Sequence, residues 1–165
     1  VLLMNAFAIF HREFPRTRLT LIGEGPERRS LMKMVEEFGL EEHVTFQGHV
    51  PFQQIPHEIV RHDALVLPTK IDVFGLVIAE AIVCGIPVIC SCYAGAANDL
   101  VKENGIIIKP ENRSEFVNAL KKVMSTENRR LMTAACEKMR PIINLDKAAG
   151  NFAAAIRADV PTDKQ

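Results

Sequence analysis

The sequence predicts an α/β fold built on a parallel sheet with helices on both faces. Short apolar runs at Leu19–Ile22, Val44–Phe46, Ala64–Leu67, Pro87–Cys90 and Gly105–Ile108 have the pattern of strands buried on both sides. Each run is followed by a stretch of helical periodicity, as crossover connections between parallel strands require. Gly and Pro punctuate the junctions, with Gly39 and Gly85 after helical stretches and Pro68 after a strand.

Leu3, Ala6, Phe7, Phe10 and Phe14 recur at helical spacing, so Val1 to about Phe14 reads as an amphipathic helix that stops before Pro15. No N-cap residue precedes it and no Met stands at position 1, so the chain is expected to open inside an element, as a fragment. The strand Leu19–Ile22 leads through Gly23-Glu24-Gly25-Pro26 into a helix to about Phe38, with Pro26 near the first turn, where a missing N–H costs little. After Val44–Phe46 come a helix from Pro51 to about Arg61 and the strand Ala64–Leu67. Phe74–Cys84 reads as a helix apolar on all sides except for Glu80, which places it in an interior. The strand Pro87–Cys90, a short helix near Ala96–Val101, the strand Gly105–Ile108 and helices over about Ser114–Met124, Glu127–Met139 and Asp146–Ala158 complete the series. With no repeat or low-complexity linker, residues 1–158 are expected to form one domain and 159–165 a loose polar tail.

A chain of 165 residues that is 48% hydrophobic and 24% charged is not disordered, and it can bury a core without disulfides or structural metal. Twenty Lys and Arg balance twenty Asp and Glu, so no overall field steers it to nucleic acid or anionic lipid, and an anionic ligand has to be bound locally. No apolar run reaches the roughly 20 residues of a membrane span, and the start lacks a signal-peptide pattern, so a cytoplasmic location is expected. Cys84, Cys90, Cys92 and Cys136 sit in apolar or helical context and read as reduced, buried thiols; the five histidines show no zinc-site spacing, so no metal is expected.

In open parallel sheets ligands bind beyond the carboxyl ends of the strands, which directs attention to Gly23–Pro26, Gln47–Val50, Pro68–Gly75 and Ser91–Ala97. Between Asp72 and Asp99 the only charged residue is Glu80. A carboxylate on a buried helix has to be paired or hydrogen-bonded. Either backbone or a core hydroxyl satisfies Glu80, or ligand hydroxyls do, which leaves it underpaired when the site is empty. Asp72 precedes the same helix, where it is either a simple N-cap or a second ligand acceptor roughly 10 Å from Glu80 along the axis. Between the two carboxylates the amides of Phe74, Gly75 and Leu76 would form an anion site, and the missing side chain of Gly75 would let a ligand approach the backbone. A phosphate with a sugar hydroxyl at each end fits these groups, which is the shape of a nucleotide sugar.

Other phosphate chemistries fit less well. Arg28 stands where a dinucleotide fingerprint needs its third glycine, and neither a Gly-Lys-Ser/Thr run nor a Gly-x-Ser-x-Gly elbow occurs. No Asp-x-Asp pair is present to hold a cation on a diphosphate, so a metal-free mechanism is implied.

Five segments resemble, in order, the carboxy-terminal half of glycosyltransferase family 4, the retaining group 1 transferases of GT-B fold: Leu21–Arg28, Val44–Val50, Leu67–Thr69, Asp72–Ala81 and Cys84–Ile89. The resemblance covers about Leu2–Met132, and Ala94–Val101 looks like the family's glycine-containing loop with one glycine where two are frequent. It implies a Rossmann-like parallel sheet lacking its first strand. Asp72 and Glu80 fall on the family's two acidic positions and are implied as the catalytic pair, the first holding the transferred sugar and the second the ribose. Phe74, Gly75 and Leu76 would meet the sugar and diphosphate, Gly23 and Gly25 would line the donor cleft, and His49 and Val50 would border the base. Asp at position 72 departs from the more frequent Glu, and the family's basic pair and acceptor-binding amino-terminal domain would precede Val1. The absent strand would lie between the strands at Leu19–Ile22 and Ala64–Leu67, which should therefore close up or leave a gap.

The implied function is the donor-binding half of a retaining, metal-independent glycosyltransferase. It would move a sugar from a nucleotide-diphosphate sugar, its donor substrate, to a glycan or lipid-linked acceptor, with no further cofactor. Its partners are then the nucleotide sugar and the missing acceptor-binding domain, with no nucleic acid and with membrane contact only through that missing half. The alternatives are a non-catalytic nucleotide-binding or interaction module of the same fold and a nucleotide-sugar epimerase.

Overall fold

A computed structural model describes residues 1–143, so the helix expected at Asp146–Ala158 and the tail at 159–165 lie outside the described residues. The elements run α1 (Leu2–Glu13), β1 (Leu19–Ile22), α2 (Arg28–Phe38), β2 (Val44–Gly48), α3 (Ile55–Ile59), β3 (Leu65–Leu67), α4 (Leu76–Val83), β4 (Val88–Ser91), α5 (Ala97–Leu100), β5 (Gly105–Ile108), α6 (Arg113–Met124) and α7 (Thr126–Met139). No described helix is long and apolar enough to cross a membrane.

All strand pairs are parallel, but they form two ladders, β1-β2 and β3-β4-β5. Leu19 pairs with Val44 in the first; Leu65 pairs with Val88, and Val88 with Gly105, in the second. β1 and β3 do not pair, so the expected gap is present. His62 crosses it, with Nδ1 at 2.8 Å from the Glu58 carbonyl oxygen and Nε2 at 3.0 Å from Thr20 Oγ1. A carbonyl only accepts, so Nδ1 carries the proton and in the neutral ring Nε2 accepts from the Thr20 hydroxyl.

Strand alternation distributes the core between two faces. Ile89, Val66, Ile106 and Ile108 join one cluster with Phe7 and Phe10 of α1 and Phe116 and Leu120 of α6. Val88, Cys90, Leu65, Leu67 and Ile107 join the other with Ile78 and Ile82 of α4, Ala97 of α5 and Cys136 of α7. The first cluster also takes Leu19 and Leu21 of β1 and Val44 and Phe46 of β2, so α1 and α6 join the two ladders through side chains.

Several boundaries differ from the sequence reading for local reasons. α2 begins at Arg28 behind Glu27, which leaves Pro26 outside the first turn. The helix expected over Pro51–Arg61 is a 3₁₀ turn at Phe52–Gln54 followed by α3, because Pro56 has no N–H to bond the Phe52 carbonyl; Ile55 N–H takes that oxygen instead. α4 starts at Leu76 rather than Phe74, because Gly75 adopts a left-handed φ of 80°. Only one face of α4 is interior: Ile78, Ala79, Ala81 and Ile82 are buried, whereas Leu76 and Val83 are 56% and 44% exposed. Of the four thiols, Cys90 and Cys136 are buried while Cys84 and Cys92 are half-buried. Burial pushes the first pair up to about 11, so these thiols stay protonated and unreactive near neutrality.

Candidate functional site

The chain beyond β3 is held at several points. Thr69 Oγ1 donates to the Ile71 carbonyl at 2.8 Å. Asp72 forms an isolated parallel bridge with Ala94. Its N–H donates to the Tyr93 carbonyl at 3.4 Å, its carbonyl accepts from Gly95 N–H at 3.0 Å, and the Phe74 carbonyl accepts from Ala96 N–H at 2.7 Å. The half-buried Asp72 side chain also turns back on its own loop, where Oδ1 accepts from Phe74 N–H at 3.1 Å.

That last bond changes the expected anion site. The Phe74 amide is occupied, and Ile78 N–H donates to the Gly75 carbonyl at 2.9 Å. The amides of Gly75, Leu76 and Val77 have no acceptor among the described residues, so the open set lies one residue further along than Phe74, Gly75 and Leu76. Gly75 also differs in role. It is buried at a positive φ, and a Cβ there would sit 3.1 Å from Ile78 Cδ1 and 3.3 Å from Leu67 Cδ2, so the missing side chain also makes room for protein atoms.

Glu80 stands one turn into α4, half-buried, on the helix face shared with Leu76, Val77, Val83 and Cys84. Among the described residues its side chain has no hydrogen bond or ion pair. Burial alone pushes its carboxyl above the ordinary carboxylate value. Of the two ways to satisfy Glu80, a bond to backbone or to a core hydroxyl is therefore not the one found.

The remaining candidates gather at the ends of β1 and β2. Gly23 N–H donates to the Gly48 carbonyl at 2.7 Å, with both glycines at positive φ, 114° and 74°. Gly25 is exposed, with nothing within 4 Å of the place a Cβ would take. His49 is exposed and Val50 half-buried. Arg28 leans on this end, its guanidinium 5.3 Å from the Phe46 ring centroid and 3.4 Å from Glu24. A depression of about 530 Å³ lined by Gly25, Pro26, Arg28 and Met32 opens beside it; neither that hollow nor one of about 440 Å³ along α6 includes Asp72 or Glu80. No hydrogen bond among the described residues joins this group to the Asp72–Glu80 group. The two groups stand on the two separate ladders.

The sequence reading pointed to Ser91–Ala97 as a strand-end loop but named no site residue in it. Tyr93, Gly95 and Ala96 in fact hold the Asp72–Phe74 segment through its backbone. The signal was the small-residue run Ala94-Gly95-Ala96-Ala97, which marks close backbone approach. Among the described residues no group of three or more His, Cys, Asp or Glu is arranged to hold a metal ion.

The model of the group 1 glycosyl transferases matches residues 1–139. Among characterised relatives, a GDP-mannose-dependent alpha-(1-6)-phosphatidylinositol monomannoside mannosyltransferase of Mycolicibacterium smegmatis is 29% identical over 102 residues, covering 58% of this chain and 27% of that protein. The glycogen synthase of Mycobacterium tuberculosis is 28% identical over 114 residues, covering 68% and 28%. The chain thus spans little more than a quarter of either relative. Among solved structures, Anabaena HepE in complex with UDP and glucose superposes with a TM-score of 0.81 at 22% identity, over 95% of this chain and 44% of that one. Sucrose-phosphate synthase from Thermosynechococcus elongatus gives 0.79 at 24% identity, over 94% and 41%. At these identities the likeness establishes the fold.

Proposed function

The chain belongs to the group 1 glycosyl transferases, and we propose that it is the donor-binding half of a retaining, metal-independent enzyme that transfers a sugar from a nucleotide-diphosphate sugar to a glycan or lipid-linked acceptor in the cytoplasm. The observation that carries this reading is Glu80, a half-buried carboxylate without a partner among the described residues, on a helix whose first amides are open. The mannosyltransferase relative is GDP-mannose-dependent and HepE was solved with UDP-glucose, which supports a nucleotide sugar as ligand.

In this reading Glu80 accepts hydrogen bonds from the ribose hydroxyls, which remain two donors for an otherwise unpaired carboxylate. The amides of Gly75, Leu76 and Val77, at the positive end of the α4 dipole, stabilise charge on the departing diphosphate. Asp72 lies on the sugar side, Gly23 and Gly25 line the cleft, and His49 and Val50 border the base. The absence of an Asp-x-Asp pair supports a diphosphate neutralised by amides and basic side chains. The experiment is sugar transfer from UDP-glucose and GDP-mannose by the intact protein, with and without Glu80→Gln. A loss of donor affinity of roughly ten-fold or more, read as a raised KM for the donor, is expected from removing a charge-assisted bond, and an unchanged donor KM would overturn the assignment.

A further inference from the structure

The turn that follows β2 leaves an aromatic ring uncovered. β2 ends at Gly48, so residues 49–54 lie at the carboxyl end of that strand, before α3 carries the chain back toward the start of β3. Pro51, at φ −56° and ψ 141°, leads into the 3₁₀ turn Phe52–Gln54. Gln54 N–H donates to the Pro51 carbonyl at 2.8 Å and Ile55 N–H to the Phe52 carbonyl, so the backbone that carries Phe52 is held. Ile55 and Ile59 anchor the turn in the cluster that contains Ile78 and Ile82. Phe52 has helical spacing to both but does not share their burial. It is 67% exposed, more than any other aromatic side chain among the described residues. The phenyl ring within β2, Phe46, already has the Arg28 guanidinium 5.3 Å from its centroid. Phe52 is the ring left open at this end, and His49 and Val50 stand just before it.

We propose that Phe52 is a further donor-binding residue, the ring on which the nucleobase of the donor stacks. Every base is flat and has a π-face whatever its edge pattern, so an aromatic ring adds affinity without reading hydrogen bonds. Phe52 therefore grips uracil and guanine alike, and the choice between them falls to groups that meet the base edge. The inference rests on the reading that His49 and Val50 border the base, and it adds the residue that holds the base by its face.

The test is calorimetric binding of UDP, GDP and inorganic pyrophosphate to the intact protein and to its Phe52→Ala and Phe52→Tyr variants. The Ala variant is expected to bind UDP and GDP each about ten-fold more weakly, within the range for loss of a stacking ring. Pyrophosphate carries no base, and its affinity is expected to stay native. The Tyr variant keeps the ring and is expected to match the native protein with all three ligands. Because the side chain lies outside the core, thermal midpoints of both variants are expected to equal the native one. Native affinity of the Ala variant for UDP and GDP, or an equal loss for pyrophosphate, overturns the proposal and leaves the donor-site reading standing. A native protein that binds neither UDP nor GDP overturns both.

Discussion

Gly95 lies against the backbone of Val73 so closely that a Cβ on it would sit 2.1 Å from the Val73 carbonyl oxygen. The obstacle is main chain, which cannot rotate away as a side-chain end would. The two loops beyond β3 and β4 therefore meet at a point where only glycine fits.

Gly95→Ala should push the Asp72–Phe74 segment away from the loop that holds it. Loss of the bonds at Asp72 and Phe74 is expected to cost about 1–3 kcal/mol of stability, the range for overpacking a close contact. Chemical denaturation gives the stability, and affinity for UDP-glucose or GDP-mannose is expected to fall with it.

Glu80→Gln should trade binding for stability. Burial raises the Glu80 carboxyl, so the folded state holds its proton more firmly than the unfolded chain. Stability from this group is present below the ordinary carboxylate value and is lost as pH rises through the raised one. At neutral pH the native protein thus folds around a poorly solvated charge. The Gln variant is expected to melt higher than the native protein at pH 7 and no higher at pH 4, as thermal scans at the two pH values will show.

His11 should confer the opposite dependence. It is 9% exposed, its ring centroid is 4.2 Å from that of His43, and Nδ1 is 3.1 Å from Thr17 Oγ1. The Thr17 hydroxyl donates to the Phe14 carbonyl, so its oxygen is left to accept from Nδ1–H, and further protonation falls on Nε2. Burial first, and the neighbouring His43 second, hold His11 below its ordinary 6.5. The unfolded chain binds the proton more readily, so this contribution is full above that value and is lost as pH falls toward the folded one. Thermal midpoints should drop between pH 7.5 and 5.5, and His11→Asn, whose amide can replace the Nδ1 donor, should flatten that slope.

Phe10→Ala should be among the most damaging core substitutions, by about 3–5 kcal/mol in denaturant unfolding. Phe10 is 3% exposed, stacks on Phe14 at 5.0 Å and belongs to the cluster in which α1 meets residues of both ladders.

Much of the architecture could be read from local pattern, because strand and helix periods are written in neighbouring residues. Ile89 and Val88 divide between opposite clusters as alternation requires, and Gly39 ends α2 with the left-handed φ of 65° its position suggested. The break at Pro56 was also local, and the helical spacing of Phe52, Ile55 and Ile59 around it concealed it. What could not be read was the long-range arrangement at the site. Nothing near Asp72 in sequence announces that Gly95 and Ala96 will hold its loop, and nothing marks whether a carboxylate at that position faces outward or bonds Phe74. The isolation of Glu80 in charge was visible from the sequence, whereas its lack of a partner needed coordinates.

The divided sheet carries a mechanical corollary. Because no backbone hydrogen bonds cross from β1 to β3, the pair formed by β1 and β2 is attached to the other three strands by packing and by the His62–Thr20 bond. Cooperativity between the two portions then lives in grease rather than in the peptide ladder. Mild denaturant should release the amides of Leu19–Ile22 and Val44–Gly48 as one early-opening unit while those of Val88–Ser91 remain protected.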